Sequence, residues 1–475
     1  MLSGVSALKA ERNFMSDIKK NDIVTLSITE INNLGAGVGR IDGGERDGTV
    51  VFVSGAVTGD VVEAKVIKVN RSYLVARTEK VISTSPYRTK DNFCSAPMAC
   101  GGCVYRNVSY EYEKKIKREY VKTAFRKAGI DDITIEPVIS TGKENHYRNK
   151  AQYPLKQGKN GIEAGFYAAK THNIISAECC MIQNEKFTEI VKFFCECADS
   201  LGLNVYNEES GKGLLRHLYL RIAEATGEIM VCVVINADSF ESSDRLATAL
   251  CERFPEIVSV MLNVNKKNTN VVLGDRFILC QGKEYIEDVL CGKRFRITPQ
   301  SFYQVNRDGA ELLYAKAAEL ADLSGNETLV DLYCGTGTIG LSMSDKAKAL
   351  IGIEIVPSAV ECAKLNAEAN GVDNAEFYCG DASKTEEILK NRKLSADVVV
   401  IDPPRKGTTK ELIEYLNKLN VPKVVYVSCD PDTLARDVAV FRKYGYDTDR
   451  VYPVDMFPRT GHVESVVCLK RRKVQ

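Results

Sequence analysis

From about residue 18 to 82, apolar and polar positions alternate in short runs, IVTLSIT, TVVFVSG, DVVEAKVIKV and YLVARTEKV, broken by turns rich in Gly and Asp. Alternation of this kind predicts half-buried strands, and their close spacing predicts a small closed β-barrel. GAGVGRIDGG has the glycines of a nucleotide loop, but it lies between strands and opens no helix, so a dinucleotide reading fails on context. After Pro86 a cysteine-bearing loop leads into a helical pattern from about 110 to 129. A mixed region follows to about 294, with strand patterns at LLRHLYLRIA, IMVCVVINA, VSVMLNVN and DRFILC. From about 295 the rhythm changes, and apolar runs TLVDLYC, ALIGIEIV, ADVVVID and KVVYVSC alternate with helical stretches such as SAVECAKLNAEANG and TLARDVAVFRKYG. Strand alternating with helix predicts a parallel sheet covered on both faces. The expected organisation is an α/β chain with an oligonucleotide-binding-like barrel over 16–82, a central α+β domain over 83–294 and a Rossmann-like domain over 295–475.

With 475 residues, 44% hydrophobic and 27% charged, the chain is long enough for two or three domains with cores of their own. It contains no run long and apolar enough for a membrane helix, and its N-terminal stretch has no cleavage pattern, so the expected location is cytoplasmic, with no membrane partner. Sixteen cysteines in such a chain point to metal binding or catalysis rather than disulfides. The net charge of +1 gives no global argument for nucleic acid, so only local patches count. One is Lys114, Lys115, Lys117, Arg118, Lys122, Arg126 and Lys127, which charge patterning alone leaves as either an RNA contact or a solvated helix face.

In an open parallel sheet, ligands bind beyond the carboxyl ends of the strands. The first run ends in DLYCGTGTIGL, whose glycines at 335, 337 and 340 allow a tight turn and close approach to a ligand. The second ends at Glu354, placed to hold ribose hydroxyls, the third at Asp381 and the fourth at Asp402 in IDPPRKG. One acid after a glycine turn would equally suit a nicotinamide cofactor, but the four strand ends together resemble the S-adenosylmethionine methyltransferase fold. The fifth run ends in Ser428, Cys429, Asp430 and Pro431, where Asp430 is a predicted N-cap and Pro431 a predicted first helical residue. That places Cys429 at the positive end of a helix, where a thiol is biased toward thiolate.

The segments TPQSFYQVN, DLYCGTGTIGL, IDPPRKG, VYVSCDPDTLARD and FPRTGHVES are similar, in the same order, to the motifs of the bacterial RNA uracil-5-methyltransferase family. That resemblance implies that Gln304, Tyr333, Glu354 and Asp402, with Asp381, bind S-adenosylmethionine, that Cys429 is the nucleophile and that Glu464 is the base. The chemistry agrees: carbon 5 of uracil needs a thiolate added at carbon 6 to become nucleophilic, and its proton must then be removed. Cytosine-5 methyltransferases carry a cysteine beside the proline of the fourth motif, whereas this chain has DPPR. Amino-group methyltransferases place an aromatic residue where Arg405 stands.

Cys94, Cys100 and Cys103 are spaced C-x5-C-x2-C, with a distant fourth candidate in AECCMIQ, and the spacing alone suits zinc or a 4Fe-4S cluster. The resemblance, extended through GGC and YRNKAQYPL, implies a 4Fe-4S cluster held by these three and Cys180, with Cys179 as the alternative. The N-terminal barrel resembles a TRAM domain, with Lys65, Lys68, Arg71, Tyr73 and Arg77 as a basic strip for RNA. Within the resembled family, barrel and cluster together imply a uridine of large-subunit (23S) ribosomal RNA, flipped from its stack, as substrate of a monomeric enzyme, with a transfer RNA uridine-5-methyltransferase or a noncatalytic iron-sulfur RNA-binding protein as alternatives.

Overall fold

The computed structural model describes residues 18–90, 94, 96, 97, 99–169, 171–176, 179–381, 385–392 and 395–472. Residues 16 and 17 of the expected barrel, parts of the cysteine loop (91–93, 95 and 98) and residues 473–475 lie outside that set. The described chain forms two compact units, one of the residues up to Asp91 with Val104–Ile116, the other of Asn92–Cys103 with Lys117 onward.

The first unit is a six-stranded sheet in the spatial order Ile23–Ser27, Val61–Val69, Tyr73–Ser83, Val50–Ser54, Ala36–Arg40, Glu30–Ile31. It curls onto itself, since the Thr29 amide, just past the first strand, donates to the Val38 carbonyl at 2.9 Å. The alternation read from sequence becomes the barrel interior, with Val24, Leu26, Val51, Val53, Val62, Val66 and Leu74 buried. GAGVGR is itself a strand here, which its glycines obscured in the sequence. A Cβ at Gly37 would lie 2.9 Å from the Ala56 Cβ, so the glycine permits close packing rather than a turn. Lys65 and Arg77 are cross-strand partners, two like charges held side by side on the partly exposed face.

In the second unit the central segment builds a seven-stranded sheet in the order Ile174–Ser176, Gly161–Tyr167, Lys150–Gly158, Leu215–Ile222, Ile229–Ile235, Ile257–Val264, Arg276–Gly282. Leu218, Leu220, Val231 and Val233 pack on one face in a core shared with Phe187 and Phe194 of the helix Lys186–Ser200. From the opposite face Tyr219, Met230 and Cys232 join a core with Leu313, Leu329 and Val425. That shared core makes one compact unit of the central and C-terminal segments, so the boundary expected near 294 does not divide them.

The C-terminal sheet runs Ala375–Cys379, Ala349–Glu354, Thr328–Leu332, Val398–Ile401, Lys423–Ser428, all parallel. The next strand, Glu464–Arg471, is antiparallel to Lys423–Ser428, with Ser465 opposite Ser428. A sheet read as purely parallel is therefore mixed at one edge. The reversal matters, because a strand running backwards begins where its neighbour ends. Glu464, first in its strand, consequently emerges beside Cys429, just past the end of the other.

Candidate active site and family

Chain order reverses between the strands Thr328–Leu332 and Val398–Ile401, and beyond their carboxyl ends lies a cavity of about 800 Å³. Gln304, Tyr333, Glu354, Asp381, Asp402, Cys429 and Glu464, all expected from sequence, line this one cavity.

The glycine turn is shaped by an acid that the sequence reading passed over. Asp331 is fully buried and its Oδ2 accepts the Gly340 amide at 2.8 Å, folding the turn back on its strand. A Cβ at Gly340 would lie 2.8 Å from that oxygen, so only glycine fits. Tyr333 has φ +63°, a left-handed conformation uncommon for an aromatic residue and costly enough to mark a functional turn. Glu354 braces the turn from the next strand, accepting from the Gly335 amide at 3.1 Å and the Val356 amide at 2.9 Å. Beside it Ile355, 67% exposed, offers an apolar surface within the cavity. Gln304 is held through its backbone, whose carbonyl accepts from the Asn149 side chain at 2.9 Å.

At the other end stand the thiol and its neighbouring carboxyls. Asp430 caps the helix Pro431–Lys443, accepting the Thr433 amide at 3.0 Å, with Pro431 in the first turn. Cys429 nevertheless does not have the lowered pKa that its place before a helix suggested. Burial, then the carboxylates of Glu464 and Asp402, push the thiol up to about 12, against a smaller opposing effect of Arg405. The thiol lies outside the N-cap, so desolvation and two acids outweigh the helix end. Burial and Asp402 push Glu464 up to about 8, and burial alone pushes Asp402 up to about 7. The resting site thus favours a thiol and a protonated Glu464, a neutral arrangement poised to lose protons when a substrate arrives.

Among the further side chains that line the cavity without a role assigned from sequence are Arg148, Lys150, Arg405, Lys406 and His462. His462 stands two residues before Glu464 in the quoted FPRTGHVES, and Arg148 and Lys150 lie in YRNKAQYPL, so the signal was present but had no chemistry attached. Burial and then Arg405 hold the His462 imidazole below its usual pKa, favouring the neutral ring. Within the basic helix Tyr110–Lys127, Lys117 pairs with Asp455 at 2.7 Å and Arg118 donates to the Ile135 carbonyl at 2.9 Å. Those two members of the expected RNA patch are structural.

None of the four cysteines expected as cluster ligands lines the cavity. The Cys180 thiol is pushed up by burial and then by the neighbouring Cys100 and Cys94, so these three share one neighbourhood. Among the described residues no group of three or more His, Cys, Asp or Glu side chains is arranged to hold a metal ion. The donor chemistry of these thiols suits a cluster. Among the described residues no helix is long and apolar enough to cross a membrane.

Residues 109–472 match the model of the tRNA (uracil-5-)-methyltransferase family, and residues 19–78 match the TRAM domain. An uncharacterized RNA methyltransferase of Clostridium tetani is 42% identical over 95% of this chain and 97% of its own, and one of Halalkalibacterium halodurans is 39% identical over 95% and 98%. Among solved structures, the Pyrococcus abyssi tRNA (uracil-54, C5)-methyltransferase in complex with S-adenosyl-L-homocysteine is similar with a TM-score of 0.75, 27% identity, and coverage of 94% of this chain and 100% of that one. Family match, TRAM domain and cofactor-type cavity agree: the chain belongs to the tRNA (uracil-5-)-methyltransferase family and is an S-adenosylmethionine-dependent RNA methyltransferase acting on carbon 5 of uracil.

Proposed function

We propose that the chain methylates one uridine of 23S ribosomal RNA through a covalent adduct to Cys429, with Glu464 removing the carbon 5 proton. The observation that carries this reading is the meeting of Cys429 and Glu464 in one cavity, close enough that the Glu464 carboxylate raises the Cys429 thiol.

The donor supplies the methyl group; the glycine turn, Tyr333, Glu354, Asp381 and Gln304 hold it. The flipped uracil enters beside Cys429, whose sulfur, after losing its proton, bonds to carbon 6. Carbon 5, made electron-rich, would take the methyl group as the donor's sulfur–methyl bond breaks to leave S-adenosylhomocysteine; Glu464 in its carboxylate form removes the carbon 5 proton, and the sulfur–carbon 6 bond breaks to return the Cys429 thiolate and restore the ring. Arg405, which opposes the upward shifts of both Cys429 and Glu464, favours their ionised forms during this sequence.

Cys94, Cys100, Cys103 and Cys180 hold a 4Fe-4S cluster that braces the fold and does no redox work in methyl transfer. RNA is carried in part by the barrel, and the enzyme works as a monomer in the cytoplasm.

Transfer RNA is the second reading, and a specific observation favours it: a structure named as a tRNA enzyme covers 94% of this chain. The deciding experiment maps 5-methyluridine by mass spectrometry in ribosomal and transfer RNA from cells lacking the gene. Loss of a single ribosomal site is expected; loss only from transfer RNA moves the substrate to the second reading. RNA containing 5-fluorouridine should trap an adduct with the protein, and a Cys429→Ala variant that still formed it would remove Cys429 from its role.

A further inference from the structure

The cavity that Asp402 and Glu464 line is also lined by cations at the start of the central strand Lys150–Gly158. Arg148 and Lys150 line it, and Arg221, on the adjacent strand, is the cross-strand partner of Lys150. Arg221 is fully buried and already committed: it donates to the carbonyls of Ser301 at 2.9 Å and Tyr303 at 3.2 Å, fixing the loop that carries Gln304. Lys150 has no such employment, and Arg148 has only the neutral Tyr147 hydroxyl beside it. Neither forms an ion pair with a carboxylate among the described residues, and the buried Arg148 Nε has no hydrogen-bond partner. Burial, Arg221 and Arg148 together lower Lys150 to about 8, the mark of cations crowded without a counter-anion.

Like charges held together at a cavity wall are unfavourable in the free protein and become favourable when an anion arrives. The position indicates which anion. Arg148 influences His462, which also responds to Arg405 and to Asp430 next to Cys429, so this wall faces the thiol end of the cavity. The adenosine end, at Glu354 and Asp381, is elsewhere. An RNA strand delivering a flipped base brings a phosphate on either side of it, an anion that Arg148 and Lys150 can take.

We infer that Arg148 and Lys150 form a phosphate grip for the RNA backbone next to the target uridine, orienting the base toward Cys429. This rests on the proposed RNA-methylating reading and adds the residues that hold the strand. A bipolar cavity of this kind admits the nucleotide in one direction only, phosphate to the cations and ring to the thiol.

The test uses the full-length protein and an unmodified 23S ribosomal RNA transcript. Lys150→Met and Arg148→Gln are each expected to weaken RNA binding roughly five- to tenfold at 0.1 M salt and to flatten the dependence of log K on log salt by about 0.7. S-adenosylhomocysteine affinity stays within about twofold, and Lys150→Arg, which keeps the charge, restores RNA binding. Unchanged RNA affinity and salt slope overturn the inference. So does a loss that falls on S-adenosylhomocysteine, which would assign the cations to the cofactor's carboxylate. A Lys150→Arg variant as weak as Lys150→Met likewise overturns it, as the effect would then be one of shape. Failure of the unaltered protein to methylate uridine in any RNA counts against the proposed function, a result separate from these three.

Discussion

Lys117 and Asp455, 338 residues apart, form an ion pair of 2.7 Å with both side chains at most 1% exposed. Lys117 also donates to the Phe457 carbonyl at 3.1 Å, while Asp455 accepts the Phe457 amide at 3.0 Å. The same strap is held by Asn306, which donates to the Met456 carbonyl at 3.0 Å, by Tyr147, which donates to the Pro458 carbonyl at 2.9 Å, and by the ion pair of Arg459 with Glu144. It leads directly into Glu464, so a buried pair outside the cavity lining helps set where the proposed base stands. Removing one partner strands a charge in the interior, and Lys117→Met is expected to cost about 3–5 kcal/mol in urea unfolding. The double change Lys117→Met with Asp455→Leu should recover most of that stability. Turnover should stay low in both, as neither restores the donor to Phe457.

Glu464 gives a pH signature whose sign can be worked out. Its carboxyl, ordinarily 4.5, is raised to about 8 in the folded protein. A raised carboxyl contributes stability that is complete below about 4.5 and is lost as pH climbs through about 8. Glu464→Gln removes this dependence, so the variant's stability relative to the parent should improve between pH 5 and 9, by an amount on the order of a few kcal/mol. Activity should move the other way. As the base acts only when ionised, kcat of the parent rises through about pH 8, whereas Glu464→Gln accumulates methylated RNA still bonded to protein, visible as a shifted band on a denaturing gel. A flat rate profile between pH 7 and 9 excludes Glu464 as the base.

The parallel strands, the helix after Cys429 and the barrel were legible because each rests on local pattern: apolar runs, a capping Asp430 before Pro431, period-two alternation. The antiparallel return of Glu464–Arg471 was not, because direction is absent from a period-two pattern, and this return is what joins Glu464 to Cys429. The acidity of Cys429 was misjudged for a related reason. The helix end is visible in sequence, while Asp402 and Glu464, which oppose it, arrive from other strands. Lys117 and Arg118 looked like surface charge because nothing nearby in the chain marks Asp455 or Ile135 as their partners.

Gly340→Ala tests the glycine turn. The added methyl group would lie 2.8 Å from both Asp331 Oδ2 and Leu350 Cδ1, inside van der Waals contact with two buried neighbours. Relief requires Asp331 to release the Gly340 amide, which leaves a buried acceptor and donor unpaired. The expected cost is about 1–3 kcal/mol of stability. S-adenosylhomocysteine affinity, measured by calorimetry, should fall at least severalfold, with RNA affinity retained. Equal losses for both ligands would mean that the turn serves general stability instead.

The cluster has its own consequence through backbone geometry. Cys180 opens a segment whose Met181 and Ile182 carbonyls accept from the amides of His146 at 2.8 Å and Arg148 at 3.0 Å. The proposed cluster ligand is thus only a few residues from the cation wall of the cavity, and the order of one depends on the other. Protein purified without oxygen should carry about four irons and absorb near 400 nm. Cys180→Ala should lose both, weaken RNA binding and leave S-adenosylhomocysteine binding intact, since the glycine turn and Glu354 stand on a different sheet. Stoichiometric zinc in place of iron would keep the brace and change its metal. Intact RNA binding in an iron-free Cys180→Ala protein would break the link between the cysteines and the wall.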